Sequence, residues 1–200
     1  MVNNRYSLAG WLAIAQAAIF PLAFVLSIIQ GIIGISMFGY HGPIFGPGDL
    51  LFILFTVLSV YVLIMFRHLL NDRYSFHEID ILITIAILWN ILFQFGSLAI
   101  RGTMIVLAPR PEILVTVLNV AFMSIAMLTA GIIDILIAIK LLNIKDRLND
   151  LIKAFAYITL AAGILEASVI LSPLALILIP VSCAILGMIF LREKEEVEFV

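Results

Sequence analysis

Apolar residues run along this chain in long blocks separated by short polar clusters, and the period-2 alternation of a half-buried strand does not occur over any long stretch. The first block extends from about Leu8 to Phe38 and is interrupted by Gln16, Pro21, Ser27 and Gln30. Further blocks run from Leu50 to Phe66, from Phe76 to about Arg101, from Pro111 to Leu142, and from Leu151 to Leu191. Predominantly apolar stretches of about 18 residues or more have the length of a helix that crosses a bilayer. At about 1.5 Å per residue the final block is roughly twice as long as the hydrocarbon layer is thick. Ser172-Pro173 is its natural break, with serine as the N-cap and proline at the first helical position.

Local signals place the ends of the elements. Ser75-Phe76-His77-Glu78 has the form of a capping box, which starts the third helix at Phe76. Gly102 then serves as its C-terminal stop, and Pro111-Glu112 opens the fourth helix. Pro21 and Pro180 should bend the first and last helices, since each lacks the N–H that bonds back one turn. The expected architecture is all-α: a polytopic integral membrane protein, a single transmembrane domain over residues 1–200. Its six transmembrane helices are expected at about 8–38, 50–66, 76–101, 111–142, 151–171 and 173–191. Between the first two, Gly39–Asp49 is rich in glycine and proline and reads as a turn, or as a loop that re-enters the bundle.

Composition agrees with that picture and adds an orientation. Hydrophobic residues make up 64% of the chain and charged residues 12%, far from the roughly 25% charged of a soluble domain. Under the six-span arrangement Arg5, Arg67, Arg73, Lys140, Lys145, Arg147, Lys153, Arg192 and Lys194 share one side, opposite Arg101 and Arg110. The positive-inside rule makes the crowded side cytoplasmic, with both termini there. A net charge of −2 lacks the basic excess of a nucleic-acid footprint, so no nucleic-acid partner is expected. Cys183 is the sole cysteine and forms no intramolecular disulfide.

Polar groups inside the spans are the candidates for function, because each must find a partner or water. Asn90, Gln94, Ser97 and Arg101 recur at the spacing of one helical face. Glu166 falls near the outer end of the fifth helix, where pairing with Arg101 or Arg110 is economical and His41 is a possible third member. Asp134 lies six residues before Lys140 with nothing on its own helix to neutralise it, and Asn119 continues its seam. The candidate intramembrane polar site is therefore Asn90, Gln94, Arg101, Asp134 and Glu166, with hydrogen-bonded helix packing as the plainer role for each.

Other chemistry leaves no trace. There is no G-x-S-x-G elbow, P-loop or dinucleotide fingerprint, so no catalytic residue and no cofactor is assigned. His68, Asp72, His77, Glu78 and Asp80 cluster between the second and third helices, but their spacing matches no metal motif and no metal site is assigned. No inverted repeat of three plus three helices is visible, and Pro21 and Pro180 do not occupy equivalent positions of the two halves. Ala9, Ala13 and Ala17, and Ala126 and Ala130, suit close helix approach. The leading functional expectation is a non-enzymatic accessory or scaffold subunit of a larger membrane complex, its partners being the bilayer and other membrane subunits or a second copy. The alternative is a small-solute or proton-coupled carrier built on a polar interhelical cavity.

Overall fold

The computed structural model describes residues 4–38, 46–106 and 112–198, which form six α-helices: α1 (Asn4–Phe38), α2 (Pro47–Tyr74), α3 (Asp80–Val106), α4 (Glu112–Asn143), α5 (Asp150–Ala167) and α6 (Ser172–Glu198). A 3-10 turn over Lys145–Arg147 joins α4 to α5. Five of the helices, all but α5, are long and apolar enough to cross a membrane. Helix α5 has 18 residues and carries Asp150, Lys153 and Glu166. Each helix packs on its neighbours in the chain, and α6 returns against α1, so the six form a ring in sequence order. Large apolar side chains such as Trp11, Ile81, Leu92, Phe95 and Ile177 are exposed around the outside, as helices immersed in lipid require.

Both ends of α2 and of α3 differ from the expected ones. Helix α2 does not stop at Phe66 but continues through Arg67, His68, Asn71 and Asp72 to Tyr74. Ser75, expected as the N-cap of the third helix, instead ends α2 in the left-handed conformation (φ 49°, ψ 39°). Its N–H donates to Asn71 O, and the Phe76 N–H donates to Leu70 O at 3.2 Å, satisfying carbonyls of the last turn. The capping box therefore does not form, and α3 starts at Asp80. Glu78 reaches Lys140 Nζ on α4 at 2.7 Å instead. At the other end of α3, Gly102 lies inside the helix rather than stopping it.

Helix α2 also begins earlier than Leu50. Gly46 precedes it in extended conformation, Pro47 takes the first position, and the Asp49 carboxylate accepts from the Gly46 N–H at 3.0 Å. The remainder of the Gly39–Asp49 segment, residues 39–45 with Tyr40 and His41, lies outside the described residues. The break in the final block occurs close to the expected place: α5 ends at Ala167, Val169 turns through a left-handed conformation (φ 56°), and α6 starts at Ser172. Pro21 and Pro180 are accommodated within α1 and α6.

The basic end of the ring is closed by apolar packing. Phe66, Leu69, Leu70, Ile79, Ile83, Leu141, Ile152, Ile189 and Phe190 are fully enclosed there, with Phe66 set against Phe155. A polar rim covers this core: Arg67 Nε pairs with Asp80 at 3.0 Å, and Tyr6 donates to Asp72 at 3.1 Å. Towards the opposite end the inward faces change character. The buried stripe of α3 passes from Ile79, Ile83 and Ala86 to Gln94 and Ser97 at i+3 and i+4 spacing. That of α1 passes from Ala9 and Ala13 to Gln16, whose amide donates to Ser59 Oγ at 2.6 Å and to Phe55 O at 3.3 Å.

Candidate functional site

Helices α4 and α5 approach one another through glycine. A Cβ on Gly131 would lie 2.5 Å from both the Ala167 N and the Gly163 O, and a Cβ on Gly163 would lie 2.8 Å from the Gly131 O. Backbones this close need both residues to lack a side chain, as in the small-residue interfaces of membrane helices. The Gly163 position also faces Ile135, so the antiparallel register sets Gly131 beside Gly163–Ala167 and Ile135 beside Gly163.

That register brings the two intramembrane acids together. Asp134 lies three residues after Gly131, and Glu166 three residues after Gly163, so each flanks the crossing on its own helix. In that register the two acids lie on one face of the helix pair, about one helical turn apart in height. Asp134 is also within electrostatic range of the Cys183 thiol on α6. Neither acid has a hydrogen-bonding or ion-pair partner among the described residues, and no lysine or arginine occurs in residues 111–139 or 154–191. The nearest base along α4, Lys140, is engaged with Glu78.

A hydroxyl group completes the seam. Thr159 on α5 is only 6% exposed, and its Oγ1 has no hydrogen-bond partner. It precedes Glu166 by seven residues, two helical turns, so the two side chains leave α5 within about 20° of each other. The buried face of α5 runs Ile152, Phe155, Ala156, Thr159, Ala162 and Gly163, and Glu166 continues it. In the antiparallel register Asp134 stands at the height of Gly163, between Thr159 and Glu166.

The five residues expected to share a site are thus placed unequally. Asp134 and Glu166 are brought together, on different helices from those expected to pair. Glu166 meets Asp134, and the side chains of its anticipated partners Arg101 and Arg110 lie outside the described residues, as does that of Asn119. Asn90 donates to Ala86 O at 2.9 Å within its own helix, and Ser97 to Gln94 O in the same way. The Gln94 side chain is buried and makes no hydrogen bond among the described residues. Trp89 Nε1 donates to Ala126 O and Phe93 stacks on Phe122, so Asn90 and Gln94 lie level with α4 residues some two to three turns from Asp134.

Thr159 is the member of the seam that the sequence reading passed over; for the pairing of the acids, by contrast, a signal was present. Leu128-Thr-Ala-Gly131-Ile-Ile-Asp134 and Leu160-Ala-Ala-Gly163-Ile-Leu-Glu166 are versions of one heptapeptide. The repeat is short and unlike the three-plus-three plan, because it relates two consecutive helices. On antiparallel helices crossing at the repeated glycine it generates a local two-fold relation, with Asp134 and Glu166 as equivalent positions. Comparison with protein-family models, with curated proteins and with solved structures gives no match for the chain.

Proposed function

We propose that this protein is a small carrier of the membrane, with six spans and both termini on the cytoplasmic side, in which Asp134 and Glu166 couple solute movement to a small cation. One observation carries the reading: two acids from different helices flank one close helix crossing, and among the described residues no basic side chain pairs with either. Intramembrane acids used as packing devices find a donor or a base, whereas acids left open to a mobile cation mark ion and proton pathways. The gradation of the inward faces supports it, because Asn90, Gln94 and Ser97 line the half opposite the closed basic end. The six-span count rests on α5 packing antiparallel between α4 and α6, and on the lysines and arginines at the ends of α2, α4 and α6.

The accessory-subunit expectation gains nothing specific. The exposed apolar residues of α1, among them Leu22, Val25 and Ile32, suit acyl chains as well as they suit a protein.

Reconstituted into vesicles and supplied with a panel of small solutes, the wild-type protein should dissipate an imposed pH gradient faster than protein-free vesicles do, and Asp134→Asn should abolish the difference. Wild-type vesicles as tight as protein-free ones would overturn the reading. Co-purification of a stoichiometric membrane partner would favour the subunit role instead.

A further inference from the structure

The acid pair poses a chemical question about its occupant. Two ionised carboxylates on facing helices of a membrane bundle, half-buried and without an ion-pair partner among the described residues, carry a high solvation cost. Something positively charged must occupy the seam or neutralise it. A metal ion would need three or more protein ligands, and no group of three His, Cys, Asp or Glu side chains is placed to hold one among the described residues. A proton needs only two oxygens within reach, and a pair of carboxyls can hold one between them because both cannot ionise together at close range.

The Thr159 hydroxyl points to the same occupant. It is more than nine-tenths buried, its Oγ1 is unpartnered, and it shares the inward face of α5 with Glu166 at the level next to Asp134. An orphaned hydroxyl inside a membrane bundle is costly unless something transient satisfies it. Being both donor and acceptor, it suits a carboxyl that alternates between acid and base.

We propose that Asp134 and Glu166 share one proton across the Gly131–Gly163 crossing, with the unpartnered Thr159 hydroxyl, on the same face of α5, as a positioning group that the pair engages when the proton moves. The proposal deepens the carrier reading and rests on its acid pair, naming a proton as the coupling ion. No bond changes except those of the proton: it leaves one carboxyl oxygen and joins the other, or passes to water. The other titratable group facing the pair is Cys183 from α6; the amides of α3, Asn90 and Gln94, lie two to three turns away, and the described spans of α1 and α2 contribute no charged side chain near this height. Between Thr159 and the basic end, Phe155, Ile152 and Leu141 are packed and buried.

Infrared spectroscopy of the purified full chain, in H2O and D2O at neutral pH, tests this without any transport activity. The wild type should show the isotope-sensitive C=O band of one protonated carboxyl per chain beyond the spectrum of Asp134→Asn/Glu166→Gln. An excess of zero or of two protonated carboxyls overturns the sharing. Loss of the band on adding sodium or magnesium overturns the proton as occupant. Thr159→Val should shift the band and Thr159→Ser restore it; an unmoved band removes Thr159 from the site. If the double variant fails to fold, Asp134→Glu and Glu166→Asp retain both carboxyls, and each must move the band. A band that behaves as expected in a protein that leaves pH gradients intact would sink the carrier reading and leave the shared proton standing.

Discussion

Gly131 of α4 lies against Gly163 of α5 so closely that a methyl group on Gly131 would fall 2.5 Å from the Gly163 carbonyl oxygen. Backbone cannot step aside as a side chain can, so Gly131→Ala and Gly163→Ala should each push the helices apart and cost about 1–3 kcal/mol. Gly96 offers the contrast. A methyl there would meet the ring of Phe122 at 2.6 Å, and a ring can swing away. With roughly 1 kcal/mol of helix propensity gained, Gly96→Ala should be close to neutral. Thermal unfolding in detergent checks the ordering; equal losses at Gly96 and Gly131 would contradict the close-crossing argument.

Gln16 and Ser59 tie α1 to α2 beyond the apolar core of the basic end. Ser59→Ala removes the 2.6 Å acceptor and leaves the buried amide with the Phe55 carbonyl alone. Hydrogen bonds between membrane helices are worth about 0.6 kcal/mol on average and up to about 1.7. The variant should lose roughly that much stability, while Ser59→Thr, which keeps the hydroxyl, should lose less.

The rim of the basic end contains ion pairs of unequal worth. Asp80 accepts from Arg67 Nε and from the Asn71 amide, with its side chain 19% exposed. Glu78 and Lys140 are both well exposed. Asp80→Ala should cost about 1–3 kcal/mol, because it strips charged hydrogen bonds that hold the end of α2 to the start of α3. Lys140→Gln should cost less than about 1 kcal/mol, and that cost should vanish at high salt. A larger loss at Lys140 than at Asp80 would reverse the ranking.

Topology admits a direct check. Ile170, in the exposed turn between α5 and α6, and His77, between α2 and α3, lie at opposite ends of the ring. In intact cells a membrane-impermeant maleimide should label Ile170→Cys from outside and reach His77→Cys only after permeabilisation. Labelling of both from the same side would refute six spans.

The all-helical class, the bilayer-length apolar helices and the set of polar anomalies were legible because each depends on local physics. Block length against bilayer thickness marks a helix, and any acid in such a block is conspicuous whatever its neighbours. Helix ends were less legible: Ser75 carries the signature of an N-cap, yet the same residue also tolerates the left-handed turn that ends α2. The choice between them depends on Phe76 and Ile79 being drawn into the core and on Arg67 meeting Asp80. Those contacts join residues from different elements, and a capping rule confined to four positions does not include them.

The pairing of the acids is a case of the same kind. Depth along a helix is readable from sequence; which face of α5 meets which helix is not readable from depth. The glycine crossing turns Glu166 towards Asp134 and brings Thr159 to the same seam. The amino-acid order established a helical chain with bilayer-length apolar blocks and two acids out of place, since hydrophobic burial and backbone satisfaction act on each segment separately. Their meeting arose only when α4 and α5 packed, because close approach is set by the shape of two surfaces together, and a proton can be shared only by groups that the fold has already brought within reach.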